Sequence, residues 1–238
     1  MTGDNLLLVY QAIHDVNTRE IVSAEALLRQ RRADGAIREA SAITEAVEEA
    51  PSADLFLFDS WAMRTAFADA AQWPDAVHLN VNLSPREFEE GNIVARLEKL
   101  IGGCGIDPHR VNLEITETSY IERPEETMEV LEAVRKLGLT LWLDDFGTGH
   151  SSMTHLQHFP VEGMKIGGAF IKGILDDDRC AAIVKSLIGL GHDLGLKVTA
   201  EEVESEEQLA FLRDAGIDYI QGFLFSKPKP QEAFLRLL

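Results

Sequence analysis

Residues Val111–Asp145, VNLEITETSYIERPEETMEVLEAVRKLGLTLWLDD, decide how this chain folds. Val111–Ile115 is a short aliphatic run, the composition of a strand covered on both faces. Pro124–Leu137 follows with helical spacing, opens on proline, a good first-turn residue, and meets Gly138 at its end. A second apolar run, Leu139–Leu143, ends in the pair Asp144–Asp145. Strand, helix and strand over this length form the repeating unit of a parallel sheet.

The same alternation extends in both directions. Further apolar runs occupy Leu6–Ile13, Ile21–Leu28, Val77–Leu83, Val161–Ile166, Leu196–Ala200 and Tyr219–Phe223. Helical patterns occupy Leu55–Gln72, Ile93–Ile101, Arg179–Leu194, Glu206–Ala215 (stopped by Gly216) and Pro230–Leu238, and Ala36–Ala50 also reads as helix. Eight such runs with helices between them predict a (β/α)8 TIM-like barrel in one domain, residues 1–238. A doubly wound open sheet satisfies the same periodicity. The 238 residues carry no internal repeat or low-complexity tract.

Composition narrows the partners. With 45% hydrophobic and 26% charged residues the chain is an ordinary globular one. A formal charge of −18 excludes non-specific attraction to DNA, RNA or anionic membranes. A phosphate ligand would therefore need local cations. Cys104 and Cys180 form no CxxC pair, which fits a reducing cytosol. The N-terminus lacks a basic start, and no apolar stretch approaches the ~20 residues of a membrane span. A cytoplasmic location without membrane insertion is expected.

Polar residues interrupt or end nearly every apolar run. They are Glu25 and Arg29, Asn82 and Ser84, Glu114 and Glu117, Asp144 and Asp145, Lys165, Glu201 and Glu204, and Gln221. Barrel enzymes gather their chemistry at the C-terminal ends of the strands. Glu25, Glu114, Asp144, Asp145 and Glu201 in one mouth would repel one another without cations. With Asn82 they form an all-oxygen donor set, which favours Mg²⁺, Mn²⁺ or Ca²⁺ over zinc. Adjacent aspartates can bridge two ions, the arrangement of two-metal phosphodiester chemistry. Taken singly, Glu117 and Glu204 read as caps or solvated charges, and Asp144–Asp145 before glycines as a tight acidic turn. The joint pattern is harder to explain so, because buried charges are costly unless paired or metal-bound. The seven histidines have no convincing ligand spacing; His155 and His158 read as a solvent-facing pair on a helix.

These residues resemble the motifs of the EAL family of cyclic di-GMP phosphodiesterases. Glu25-Ala26-Leu27 with Leu28-Arg29 is similar to the motif that names the family. Asn82-Leu83-Ser84, Leu113-Glu114-Ile115-Thr116-Glu117 and Asp144-Asp145-Phe146-Gly147-Thr148-Gly149 with Ser151-Ser152 match in order. Lys165, Ala200-Glu201 with Val203-Glu204, and Gln221-Gly222 with Ser226-Lys227-Pro228 complete the series. The resemblance implies the EAL type of barrel, with Glu25, Asn82, Glu114 and Asp144 on one Mg²⁺ or Mn²⁺ and Asp144, Asp145 and Glu201 on a second. It implies that Lys165 orients the attacking water, with Glu201 and Asp145 also counted as catalytic. Leu27, Arg29, Gln221 and Glu204 would contact cyclic di-GMP, which would be opened to linear pGpG. A homodimer is implied through residues 146–152 and the helix after them, where Met153, Leu156 and Phe159 supply apolar surface, and sensory or diguanylate cyclase domains in a longer parent are compatible with it. Departures are Gly167 for the usual aspartate after the lysine, Glu202 for a glycine, Gln30 for a tryptophan, and Arg38–Val47 in place of a proline-rich segment. They keep a second reading open, a cyclic di-GMP receptor without turnover, and more remotely a protein-interaction module.

Overall fold

The structure, a computed structural model, describes residues 6–31, 35, 37–38, 52–84, 92–116, 124–147 and 159–238. Within them the strands are β1 (Leu6–Asp15), β2 (Ile21–Arg31), β3 (Ile37–Arg38), β4 (His78–Asn82), β5 (Val111–Thr116), β6 (Thr140–Phe146), β7 (Gly163–Ile166), β8 (Lys197–Ala200) and β9 (Tyr219–Gln221). The helices are α1 (Ser52–Ala70), α2 (Ile93–Cys104), α3 (Pro124–Lys136), α4 (Gly168–Ile171), α5 (Asp178–Asp193), α6 (Glu206–Asp214) and α7 (Gln231–Phe234). The strands run β1-β9-β8-β7-β6-β5-β4-β2, and β1 pairs back onto β2, so the sheet closes into a barrel. This is the expected TIM-like barrel, and closure excludes the open sheet.

Successive strands from β2 round to β9 pair in parallel, each crossing demanding a return connection. β1 departs from that scheme: it is antiparallel to both β2 and β9. The reason is local. Only Val16–Glu20 separates β1 from β2, and Asp15 Oδ1 accepts from the amides of Asn17 (2.8 Å) and Thr18 (2.9 Å), fixing a reversal. Two other readings need correction. Within the expected helix Ala36–Ala50, Ile37 and Arg38 instead form β3, pairing with the overhanging end of β2 and taking up its free backbone groups; residues 39–50 lie outside the described ones. The closing helix is one turn, Gln231–Phe234, not the whole of Pro230–Leu238. Phe234 anchors it, buried against Tyr10 and Trp73.

Alternation along the strands builds two different interiors. Leu79, Val81, Leu113, Ile115, Leu141, Leu143, Met164, Ile166, Val198 and Ala200 join the continuous apolar core shared with the helices. Most of the residues between them, Asn80, Asn112, Glu114, Lys165 and Thr199 but not Trp142, are buried polar groups. The inside of the ring is thus polar where barrels of this kind more often stack branched aliphatics.

Candidate active site

Lys165, in β7, is 1% exposed and sits among four carboxylates. Its Nζ lies 2.6 Å from Glu201 Oε1, 3.1 Å from Glu114 Oε2, 3.2 Å from Glu25 Oε2 and 3.3 Å from Asp144 Oδ1. These come from β2, β5, β6 and the residue after β8, so the ring itself assembles the cluster. Further amides complete it. Glu25 accepts from Asn82 Nδ2 and from Gln221 Nε2, each at 2.7 Å. Glu114 Oε1 accepts from Asn80 Nδ2 at 2.7 Å. Asp144 Oδ1 takes the amide of Asp145 at 3.0 Å.

One ammonium cannot neutralise four carboxylates, and the ionisation tendencies show it. Burial opposes the charge of Lys165, but Asp144, Glu114, Glu201 and Glu25 together raise its pKa well above 10.5. Burial works to raise Glu25, yet the charge of Lys165 and hydrogen bonds from Gln221, Asn82 and Lys165 leave it below the ordinary carboxylate value. Glu114 goes the other way: burial first, then Glu25 and Asp144, push it well up against the pull of Lys165. Glu201 rises to about 8 by burial and, despite Lys165, the nearness of Asp144 and Glu25. The cluster therefore holds more negative charge than the lysine offsets.

That surplus is the test of the expected metals. The donors are carboxylate and amide oxygens, suited to hard divalent cations, and Gln221 Oε1 is a buried acceptor with no hydrogen-bond donor. Among the described residues no three His, Cys, Asp or Glu side chains are set out as a preformed ion site; the carboxylates are drawn onto Lys165 instead. The donor chemistry nevertheless fits hard divalent cations of the Mg²⁺ or Mn²⁺ kind.

Loop geometry sets the remaining residues. Asp145 has φ +50°, where the β6–β7 register shifts between Leu143 and Phe146 in a bulge. Burial and Asp144 raise its pKa. Glu202 has φ +52° and lies across Gly168: a Cβ on that glycine would come 2.3 Å from the Glu202 side chain. Its Oε2 is 2.5 Å from Lys172 Nζ. The loop after β8 is stitched to the loop after β9, since Val203 N donates to Gln221 O and Leu224 N to Val203 O, each at 3.0 Å. Gly222 permits this contact, because a Cβ there would meet Val203 N at 2.3 Å.

Beside the cluster opens a cavity of about 660 Å³, within the range of small-ligand sites. Leu27, Arg29, Glu204 and Gln221, expected to touch ligand, line it together with Glu25 and Glu201. Arg29 Nη1 donates to Leu28 O at 2.8 Å. Gln11, Phe223 and Lys227 line it too and were not expected, Lys227 sitting 5.4 Å over the Phe223 ring. Gln11 sits in an apolar run, and its register opposite Glu25 is visible only once β1 and β2 are paired. Glu117, and residues 148–158 with Ser151, Ser152, Met153, His155, Leu156 and His158, lie outside the described residues. Phe159 packs against the barrel core.

The whole-chain comparisons agree with this geometry. The family model for the EAL domain matches residues 1–228. The chain is 32% identical over 243 residues to the cyclic di-GMP phosphodiesterase NbdA of Pseudomonas aeruginosa, covering 99% of this chain and 31% of that protein. It is 32% identical over 241 residues to the cyclic di-GMP phosphodiesterase PdeR of Escherichia coli, covering 99% and 36%. The MucR phosphodiesterase in complex with cyclic di-GMP superposes with a TM-score of 0.91 at 29% identity, covering 97% of this chain and 94% of that one. BlrP1 of Klebsiella pneumoniae, in a manganese and cyclic di-GMP complex, gives 0.83 at 31%, covering 97% and 57%. The chain spans about a third of the length of the curated relatives it matches.

Proposed function

The chain belongs to the EAL domain family, and from that premise we propose that it hydrolyses cyclic di-GMP to linear pGpG. The observation that carries this reading is the buried cluster of Lys165 with Glu25, Glu114, Asp144 and Glu201, opening onto a cavity lined by Leu27 and Arg29. Longer relatives that match nearly the whole of this chain are named for that activity, and neighbours have been solved with cyclic di-GMP and with manganese or calcium.

Glu25, Asn82, Glu114 and Asp144 would hold one Mg²⁺ or Mn²⁺, and Asp144, Asp145 and Glu201 would hold the other. Bound divalent ions offset the charge of a phosphodiester and make water a competent nucleophile at neutral pH. The protein's own groups do the rest. Lys165 stays protonated, so it can only donate: it holds the attacking water in line and keeps the carboxylates from repelling one another. Arg29 meets a phosphate and Leu27 covers apolar ligand surface, with Gln221 and Glu204 at the edge of the ligand. Arg29→Ala is expected to weaken binding by ~1.5–3 kcal/mol, the worth of a charge-assisted hydrogen bond.

Gly167 favours a second reading, a receptor without turnover. It caps α4 with no side-chain hydrogen bond, where a carboxylate could otherwise brace the residues around Lys165. One experiment separates the two: incubation with cyclic di-GMP and Mg²⁺ or Mn²⁺, chromatography for pGpG, and a parallel binding titration. Release of pGpG supports the enzyme; tight binding without product under either metal replaces it with the receptor. A homodimer through residues 146–152 and the following segment, and function inside a longer cytoplasmic signalling protein with sensory or diguanylate cyclase domains, complete the proposal. A relative, MucR of Pseudomonas aeruginosa, is a bifunctional diguanylate cyclase and phosphodiesterase. Light scattering at micromolar concentration with ligand present tests the dimer.

A further inference from the structure

Behind Glu114 runs a chain of uncharged polar side chains. Asn80, Asn112 and Thr140 are register partners on β4, β5 and β6, so they stand side by side at one level of the barrel. The Thr140 hydroxyl donates to Asn112 Oδ1; its approach to Val111 O is longer, 3.4 Å. Asn112 Nδ2 donates to Asn80 Oδ1 at 3.0 Å, and Asn80 Nδ2 donates to Glu114 Oε1 at 2.7 Å. His78 also bonds the Asn112 side chain. Asn80 and Asn112 are buried, so these bonds are made in a medium of low dielectric.

Every bond in the series points the same way, from hydroxyl through two amides to a carboxylate. Each donation makes the next amide a better donor. An amide is free to turn over end for end, and the arrangement here forbids it: Asn80 can present N–H to Glu114 only while Asn112 presents N–H to Asn80. That in turn needs a donor facing Asn112 Oδ1, which the Thr140 hydroxyl provides. We propose that Thr140, Asn112 and Asn80 form a positioning relay that holds the Glu114 carboxyl group in one rotamer, with its second oxygen left to Lys165 and the proposed metal. The inference rests on the phosphodiesterase reading of the cluster for its functional consequence and on the hydrogen-bond series alone for its existence. Glu114 is then positioned from three strands by residues that lie outside the family's named motifs.

The test uses the whole chain and two readouts. In the metal-free protein, the side-chain amide protons of Asn80 and Asn112 should be protected from exchange by NMR. Asn112→Leu, similar in volume, should release the Asn80 amide; Thr140→Val should loosen both amides in part, and Thr140→Ser should restore them. Unchanged protection of Asn80 in Asn112→Leu overturns the relay. The second readout is Mn²⁺ affinity by electron paramagnetic resonance, with kcat and KM for cyclic di-GMP. Asn112→Leu should weaken Mn²⁺ binding or kcat by ~10-fold or more, the usual effect of losing an outer partner of a metal ligand, with KM little changed. Thr140→Ser should match the wild type. A loss confined to melting temperature, with Mn²⁺ affinity and kcat intact, also overturns it. Wild-type protein that binds no Mn²⁺ would instead defeat the functional reading, while the amide measurement still decides the relay.

Discussion

Lys165 is the residue on which the site depends. Removing a buried charge that serves several partners leaves the partners exposed to one another, which costs about 3–5 kcal/mol. Lys165→Met should lower urea-denaturation stability by about that amount in metal-free protein and abolish turnover; a change below about 1 kcal/mol would mean that the carboxylates are not held by the ammonium. Glu202 poses the opposite case. Its backbone is left-handed, at φ +52°, a conformation that disfavours a residue with a Cβ by ~1 kcal/mol. Its partner Lys172 is 64% exposed, so the ion pair between them returns little. Glu202→Gly should therefore leave the melting temperature unchanged or raise it in calorimetry, and a clear fall would show that the carboxylate does more than cross Gly168. The acidic residues of the site were legible in the sequence because carboxylates are out of place in apolar runs. Asn80 and Asn112 were not, since a neutral amide in a strand draws no attention until its neighbours across the sheet are known.

At the level of elements, two polar knots hold the ring to its helices. Arg110 Nη2 donates to Val77 O (2.8 Å), Pro74 O (3.0 Å) and Ala70 O (3.1 Å), closing the C-terminal end of α1 and the turn into β4. The guanidinium is 8% exposed on its side chain, so Arg110→Met would strand these carbonyls and should cost about 3 kcal/mol in chemical denaturation. Asp218 joins α5, β8 and β9 by accepting from Lys197 Nζ (2.6 Å), His192 Nε2 (2.9 Å) and Val198 N (3.0 Å). Burial raises its pKa, but these bonds outweigh burial and leave it below 3.8 in the folded chain. For an acid whose folded value lies below its unfolded one, the stabilisation is whole above the unfolded value and is lost as pH falls through the folded one. Asp218→Asn should hence destabilise by ~1–3 kcal/mol at pH 7 and by less and less below pH ~4. A penalty constant across that range would count against the ionised form. Strand positions were readable from short aliphatic runs. The helix expected over Ala36–Ala50 arose from alanine, glutamate and arginine, good helix formers whose preference Ile37 and Arg38 override by pairing with the long β2.

The whole molecule carries a formal charge of −18, and the cluster adds to it locally. Ions that bind only the folded state stabilise it by an amount that grows with the logarithm of their concentration once it exceeds Kd. Millimolar Mg²⁺ or Mn²⁺ should raise the melting temperature above that in sodium chloride of equal ionic strength, and equal shifts would mean screening alone. The number of strand-like runs was readable from the sequence, but their closure into a barrel was not, because an open sheet has the same periodicity, and nor was the direction of β1, because apolar patterning has no arrow. That direction has a consequence for how the domain is made. Among the described strands of this barrel, β1 is synthesised before the others and its far neighbour β9 after them. While the ribosome is still extending the chain, β1 can settle on β2 as a hairpin within microseconds, but its other edge waits for Tyr219–Gln221. Until then every carboxylate around Lys165 belongs to an open sheet with two unpaired edges, the state most prone to join a neighbouring chain. Yield in the cell should accordingly be governed by the interval between the emergence of β2 and of β9, a matter of translation speed and chaperone capture rather than of final stability.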